Sequence, residues 1–137
     1  MIKKYSKDLI LKSKNWNEFN NNLINFSESQ QGQIFEDLCL YYFKTEPKYK
    51  VLIKNIWNTK NDSIPAYIKK NINLPDTDEG IDYIIETNQS KFWSVQAKFH
   101  INPNKNLQRK ELGTFYDLSF RTCKNIELAI TITNAYS

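Results

Sequence analysis

The chain has 137 residues, of which 40% are hydrophobic and 14% aromatic, with only 3 Gly and 4 Pro. This composition predicts one globular domain, and it excludes a disordered tail, a low-complexity chain and a multidomain machine. The net charge of +4 belongs to residues 1–14, where five lysines face one aspartate, and the rest of the chain is electrically balanced. We expect this basic arm either to bind phosphates weakly and without specificity or to be a solvated, partly frayed terminus.

Cysteine usage and hydropathy bear on the cellular compartment. Cys39 and Cys123 each lie inside an apolar pattern, which favours buried, reduced thiols in a cytoplasmic protein over a disulfide. The apolar runs are too short to span a bilayer, so no membrane association is expected. The charged N-terminus is not followed by the apolar segment of a secretory signal.

Two helices are predicted before the first strand. Residues 16–26 have helical spacing and predict a short helix, and residues 27–45 predict the main one. A serine at its start can cap the main helix and Pro47 ends it, while its apolar stripe consists of Ile34, Phe35, Leu38, Tyr41 and Tyr42. Residues 49–57 alternate between two faces and predict a strand.

The second half of the chain predicts a hairpin, a helix and a last strand. A polar loop comes first, with a capped helical turn that starts at residues 63–65. Residues 81–87 and 92–99 predict two strands joined by a four-residue turn, 107–120 a second main helix and 127–133 a last strand. Because a strand that follows a crossover helix joins its neighbour in parallel, this order predicts an α/β fold with a mixed central sheet flanked by helices.

One face of the second hairpin strand is polar where the other is aromatic and apolar. Gln96 and Lys98 point the same way along this strand, about 7 Å apart. Asp82 begins the neighbouring strand and is expected beside Gln96, so that its carboxylate and the Gln96 carbonyl offer oxygen ligands suited to Mg²⁺. Lys98 can orient or deprotonate a water or stabilise charge at phosphorus, and Glu36 can approach from the main helix as a direct or outer ligand.

Several segments carry a resemblance to a known family. The main ones are QQGQIFEDL at 30–38, GIDY at 80–83 and SVQAKF at 94–99. Together they resemble the PD-(D/E)xK nuclease superfamily, and in particular its Mrr-like branch, which has Gln-x-Lys where most relatives have Asp/Glu-x-Lys. PDT at 75–77 and ITITN at 130–134 resemble the N-terminal nuclease domains of Type ISP restriction enzymes and related predicted helicases.

The resemblance covers residues 27–133 and implies a restriction-endonuclease-like αβββαβ core. Residues 1–26 are then a basic N-terminal arm with a short helix, and residues 27–137 are the nuclease domain, as a piece of a larger protein. One departure from the family pattern is the insertion of Asp78 and Glu79, which adds acidity at the mouth of the site.

The site of this family falls on four residues of the chain. The resemblance implies that Glu36, Asp82, Gln96 and Lys98 are catalytic, and that the first three hold Mg²⁺, or Mn²⁺ in its place. It implies a metal-dependent endonuclease that acts on double-stranded DNA in a restriction system. The implied partners are helicase, methyltransferase and specificity domains of the parent chain and, transiently, a second nuclease domain.

Each candidate residue also has a purely structural interpretation. Glu36 can be a solvated helix residue, Asp82 the end of a turn, and Gln96 and Lys98 exposed residues of a strand. The alternative function is accordingly a catalytically inactive module that keeps the fold and binds nucleic acid or a partner protein.

Other charged and aromatic residues have weaker assignments. His100 is expected to be a plain strand-end residue rather than a ligand, and Asp76 to be a solvated loop residue. The start of the second main helix offers either phosphate contacts or a solvated end, through Lys105, Arg109 and Lys110. Four aromatic residues are assigned to the core rather than to base stacking: Trp57, Trp93, Tyr41 and Tyr42.

Overall fold

A computed structural model describes residues 2–61, 64–76, 80–99 and 109–134, with their side chains except at 61 and 109–111. Its helices are α1 (Lys4–Lys12), α2 (Trp16–Leu23), α3 (Glu28–Thr45), α4 (Pro47–Lys50), α5 (Ala66–Ile72) and α6 (Arg109–Asp117). Its strands are β1 (Ile53–Asn58), β2 (Tyr83–Thr87), β3 (Phe92–Lys98) and β4 (Ile126–Thr133). A 3-10 turn (Thr59–Asn61) follows β1, and a π-helical turn (Leu118–Thr122) continues α6.

The four strands form one mixed sheet in the order β1-β2-β3-β4. The β1–β2 and β2–β3 pairs are antiparallel, whereas β4 lies parallel to β3 because α6 and the π-helical turn carry the chain back across the sheet. The predicted α/β class, the mixed sheet and the flanking helices are confirmed. No helix in the described part of the chain is long and apolar enough to cross a bilayer.

The strands present apolar side chains to both faces of the sheet. On the α3 face, one buried cluster is formed by Leu40, Phe43, Tyr83, Ile85, Trp93 and Val95. On the other face, α5, α6 and the π-helical turn pack against β2 and β3 through a second cluster that includes Ile68, Ile72, Ile84, Phe92, Phe115 and Leu118. The alternation predicted for β3 is therefore correct, since Trp93 and Val95 face α3 while Ser94 bonds to Ser119 of the π-helical turn on the other side.

The buried face of α3 differs in part from the predicted stripe. Ile34 and Phe35 are buried as expected, but Tyr42 is 46% exposed and stacks edge-on against Tyr49. The assignment of Tyr42 to the core is therefore wrong. The face that packs on the sheet instead runs through Glu36, Leu40 and Phe43, because α3 meets the sheet about half a turn away from the predicted stripe.

The N-terminal segment is a packed helix rather than a frayed terminus. Leu9 of α1 is buried against α2 and α3, while the lysines of residues 1–14 remain exposed. Asp37 of α3 is fully buried and binds the start of α1, accepting bonds from the Ser6 Oγ at 2.6 Å and the Lys3 N–H at 3.1 Å. A buried carboxylate thus anchors the basic segment, which contradicts the frayed-terminus alternative, whereas phosphate binding by its exposed lysines stays a prediction.

Two boundaries near prolines also differ from expectation. Pro47 ends α3 but also opens the short helix α4, for which its fixed φ is suited, so β1 begins at Ile53 rather than at residue 49. Pro65 precedes α5, and the expected helical turn is a helix of 7 residues. The expected start of α6 at residues 107–108 lies outside the described residues.

Candidate active site

Asp82 lies immediately before β2 and forms two hydrogen bonds with β3. Its backbone N–H donates to the Val95 carbonyl at 2.8 Å, and its Oδ2 accepts from the Ala97 N–H at 2.7 Å. The carboxylate is thereby held against the strand segment that carries Gln96 and Lys98, as the hairpin pattern predicts. Asp82 is only 8% exposed, so it does not simply end a turn in solvent.

Glu36 reaches the same place from α3 and is also buried, with 9% exposure. Its Oε2 lies 2.9 Å from the Lys60 Nζ, and the same nitrogen lies 3.8 Å from the Asp82 Oδ1. The two carboxylates therefore face each other across an ammonium group. Glu36 is not a solvated helix residue, and the predicted convergence of Glu36 with Asp82 is present in the structure.

Lys60 contacts both carboxylates of the candidate site, and the sequence patterns did not reveal it. It lies in the 3-10 turn after β1, where its N–H donates to the Asn58 Oδ1 at 2.8 Å. The preceding Thr59 N–H donates to the Asp82 carbonyl at 3.0 Å. The register of the antiparallel β1–β2 pair could have predicted this position of Lys60. Asn58 pairs with Tyr83, so the residues just after β1 must lie beside the residue just before β2.

Gln96 lies on β3 beside Thr131 of β4, and both carry a buried oxygen that has no hydrogen-bond partner within the described part of the chain. These are the side-chain carbonyl Oε1 of Gln96 and the hydroxyl Oγ1 of Thr131. A Cβ placed on Gly80 would lie 3.5 Å from the Gln96 Nε2, and Gly80 has a φ of +117°, which favours glycine. The glycine before Asp82 thus permits the turn that approaches Gln96.

Lys98 ends β3 on the same strand face as Gln96 and is half-buried. Among the described residues, no ion pair joins it to a carboxylate. Asp76 is exposed, in agreement with a solvated loop residue. The expectations for Asp78, Glu79, His100 and Lys105, and those for the side chains of Arg109 and Lys110, fall outside the described residues.

The charges of Glu36 and Asp82 make the electrostatic potential around these two residues negative. Burial, followed by the charges of Asp82 and Glu36, raises the pKa of the Cys39 thiol to about 12. Burial, and then Glu36 first among the charged neighbours, raises the pKa of Tyr83 far above its ordinary value. The Tyr83 hydroxyl donates to the Glu36 carbonyl at 3.1 Å. Both neighbours therefore stay neutral, and a cation is the species that this environment favours.

The donor chemistry fits a hard divalent cation such as Mg²⁺. Glu36 and Asp82 supply carboxylate oxygens that already hold an ammonium group, and Gln96 supplies a buried carbonyl oxygen that lacks a described partner. No group of three His, Cys, Asp or Glu side chains with metal-ligand spacing occurs among the residues with described positions. The ligand set would therefore consist of two carboxylates and one amide, and solvent or phosphate oxygens would complete it.

Comparison with known proteins identifies the class. The family model Mrr_cat_2, a restriction endonuclease, matches residues 44–137, and the chain belongs to this family. The match includes Lys60, Asp82, Gln96 and Lys98, whereas Glu36 lies ahead of it.

Among solved structures, the chain is similar to the ATP-dependent Type ISP restriction-modification enzyme LlaBIII, determined bound to DNA. The TM-score is 0.57 at 23% identity, over 82% of this chain and 6% of that one, and the likeness shows the fold. The chain thus spans a small part of that enzyme's length. No protein of curated function matches the chain. The resemblance to Mrr-like nucleases and, at the level of the fold, to a Type ISP enzyme is confirmed.

Proposed function

We propose that this chain is a metal-dependent endonuclease domain that hydrolyses phosphodiester bonds in double-stranded DNA. The observation that carries the proposal is the convergence of two buried carboxylates, Glu36 and Asp82, beside the strand that bears Gln96 and Lys98. Membership of a restriction endonuclease family supports the same chemistry.

The metal would be held by Asp82 and Gln96, with Glu36 as a direct or outer ligand. Bound Mg²⁺, or Mn²⁺ in its place, would supply positive charge that polarises the phosphate and lowers the pKa of the attacking water. The chain's own part begins with the Ala97 N–H, which fixes the orientation of the Asp82 carboxylate. Because Gln96 is neutral where most relatives have a carboxylate, we expect a modest metal affinity.

Lys98 is the residue proposed to act on the reacting atoms. Its position at the end of β3, two residues after Gln96 on the same face, brings a cation to the side of the ligand set. There the ammonium would orient the attacking water, take up its proton, or offset the charge that develops on the phosphate oxygens.

The proposed setting is a larger restriction-modification or helicase-linked enzyme. The similar Type ISP enzyme is far longer than this chain and is described as bound to DNA, which supports DNA as the substrate and further domains as partners. Cleavage of both strands would need two nuclease sites, so we propose transient pairing with a second nuclease domain. A cytoplasmic location agrees with two buried, free cysteines.

A plasmid-nicking assay with Mg²⁺ or Mn²⁺ tests the proposal. Asp82→Ala and Lys98→Ala should each abolish nicking, and Lys98→Ala should keep DNA binding. Lys91→Ala is the matched control, because Lys91 is an exposed lysine directly before the other end of the same strand. Metal binding without nicking would indicate a site that needs its partner domains, whereas the lack of both would favour the non-catalytic binding module.

A further inference from the structure

We propose that Lys60 is a built-in counter-cation of this site, and that a divalent metal must displace its ammonium from the Glu36–Asp82 pair in order to bind. The role rests on the proposed function, since it assumes that the same two carboxylates bind metal. It adds a residue of this chain that controls how readily the site is loaded.

The ammonium group of Lys60 contacts the carboxylate oxygens that a bound metal would need as ligands. The Lys60 Nζ lies 2.9 Å from the Glu36 Oε2 and 3.8 Å from the Asp82 Oδ1. Mg²⁺ binds oxygens at about 2.1 Å, so a metal that takes the Glu36 Oε2 and the Asp82 Oδ1 requires the ammonium group to leave its position between them. Metal and lysine therefore compete for one pair of oxygens.

The pairing has a clear physical purpose when metal is absent. Two buried carboxylates that face each other would repel, and burial of uncompensated charge is costly. With Lys60 in place, the three side chains carry a net charge of one rather than two negative units. The domain can thus fold before it meets metal, at the cost of a weaker attraction for the metal.

The side chain of Lys60 is also suited to leave. It is 38% exposed, whereas both carboxylate side chains are 12% exposed. Its backbone is fixed by the Asn58 side chain, so only the flexible four-carbon stem has to swing into solvent. An ion pair with one partner this exposed is weak enough to be exchanged for a divalent cation.

Lysine labelling of the wild-type chain tests the displacement directly. The protein is treated with an amine-acetylating reagent, with and without Mn²⁺, and the extent of modification at each lysine is read by mass spectrometry. Lys60 should react several-fold faster when Mn²⁺ is bound, because its ammonium is released. Lys54, an exposed lysine of β1, serves as the internal control and should not change.

Calorimetric titration with Mn²⁺ gives the thermodynamic test. Lys60→Met removes the competitor and should bind Mn²⁺ about 3- to 10-fold more tightly, as expected for loss of a partly exposed ion pair. Lys60→Arg keeps the charge and should stay close to wild type, as should Lys54→Met. Asp82→Ala should abolish binding, which locates the metal at this site.

The outcomes separate the two proposals. If Mn²⁺ binds wild type while Lys60 labelling is unchanged, or if Lys60→Met binds Mn²⁺ more weakly, the competition is refuted and the proposed function stands. If Lys60→Met binds Mn²⁺ and the wild type does not, the competition is supported, because Lys60 then prevents metal binding in the wild type. If neither wild type nor any Lys60 variant binds Mn²⁺, both proposals are overturned.

Discussion

Replacing Gln96 by Glu converts the neutral member of the proposed ligand set into a third carboxylate. The exchange is nearly isosteric, since it replaces an NH₂ group by oxygen. The Gln96 Oε1 is buried without a described partner, and Asp82 is held against the same strand through the Ala97 N–H. The new charge would therefore stand beside a carboxylate already fixed in place.

The size of the effect follows from two opposing terms. A unit charge within about 4 Å of another contributes up to about 4 kcal/mol at an effective dielectric constant of about 20. The new carboxylate attracts the metal more strongly. It also repels Asp82 and Glu36 when metal is absent, and this repulsion makes the metal-free domain less stable. We expect metal affinity to rise about tenfold, or about 1.4 kcal/mol, and the metal-free domain to lose about 1–2 kcal/mol of stability.

Calorimetric titration with Mg²⁺ or Mn²⁺ measures the affinity, and urea unfolding with and without metal measures the stability. Gln89→Glu is the matched control, because it makes the same chemical change in the exposed hairpin turn. It should alter neither quantity beyond about 0.5 kcal/mol. Unchanged metal affinity in Gln96→Glu would refute the reasoning and remove Gln96 from the ligand set.

Three further predictions concern the residues around the site. Asp37→Ala removes the buried carboxylate that binds Ser6 at the start of α1 and should cost about 2–4 kcal/mol in urea unfolding, and a cost near zero would contradict the anchoring role. Tyr83→Phe leaves the Glu36 carbonyl without its hydroxyl donor and should cost about 1–2 kcal/mol by the same method. The pKa of Cys39 is raised from 9.0 to about 12, so the folded state keeps a proton that the unfolded chain loses above pH 9. Stability should therefore fall as pH rises from 9 toward 12, by up to about 1.4 kcal/mol per pH unit from this group, and Cys39→Ala should flatten that slope in unfolding experiments.

The candidate site residues come from two parts of the chain, one inside the segment matched by the family model and one ahead of it. Asp82, Gln96 and Lys98 lie in the matched segment, with Asp82 directly before β2 and the other two on β3, and one hairpin sets the register of these strands. Glu36 belongs to α3, ahead of that segment, and depends on how the helix packs against the sheet. We therefore expect the contribution of Glu36 to be more sensitive to substitutions in the core than that of Asp82.

The local sequence pattern was sufficient to predict much of the architecture. The period of two along β3 places Gln96 and Lys98 on one face, and the short turn of the hairpin brings Asp82 to that strand. The helix between β3 and β4 requires a crossover, which makes the last pair parallel. These features depend on residues that are close in sequence or on rules of chain connection, so they can be predicted without knowledge of packing.

Other features were decided only when the elements packed. The angle at which α3 meets the sheet determines that Glu36 is buried beside Asp82 and that Tyr42 is exposed. The ammonium of Lys60 meets carboxylates from two other elements, and Asp37 binds the start of α1 from 31 residues away. A charged residue looks alike in a sequence whether solvent or a partner surrounds it, because its pairing energy depends on distance in space and on burial. The sequence by itself therefore determined which strand bears the candidate site residues, and the tertiary structure decided which other charges lie beside them.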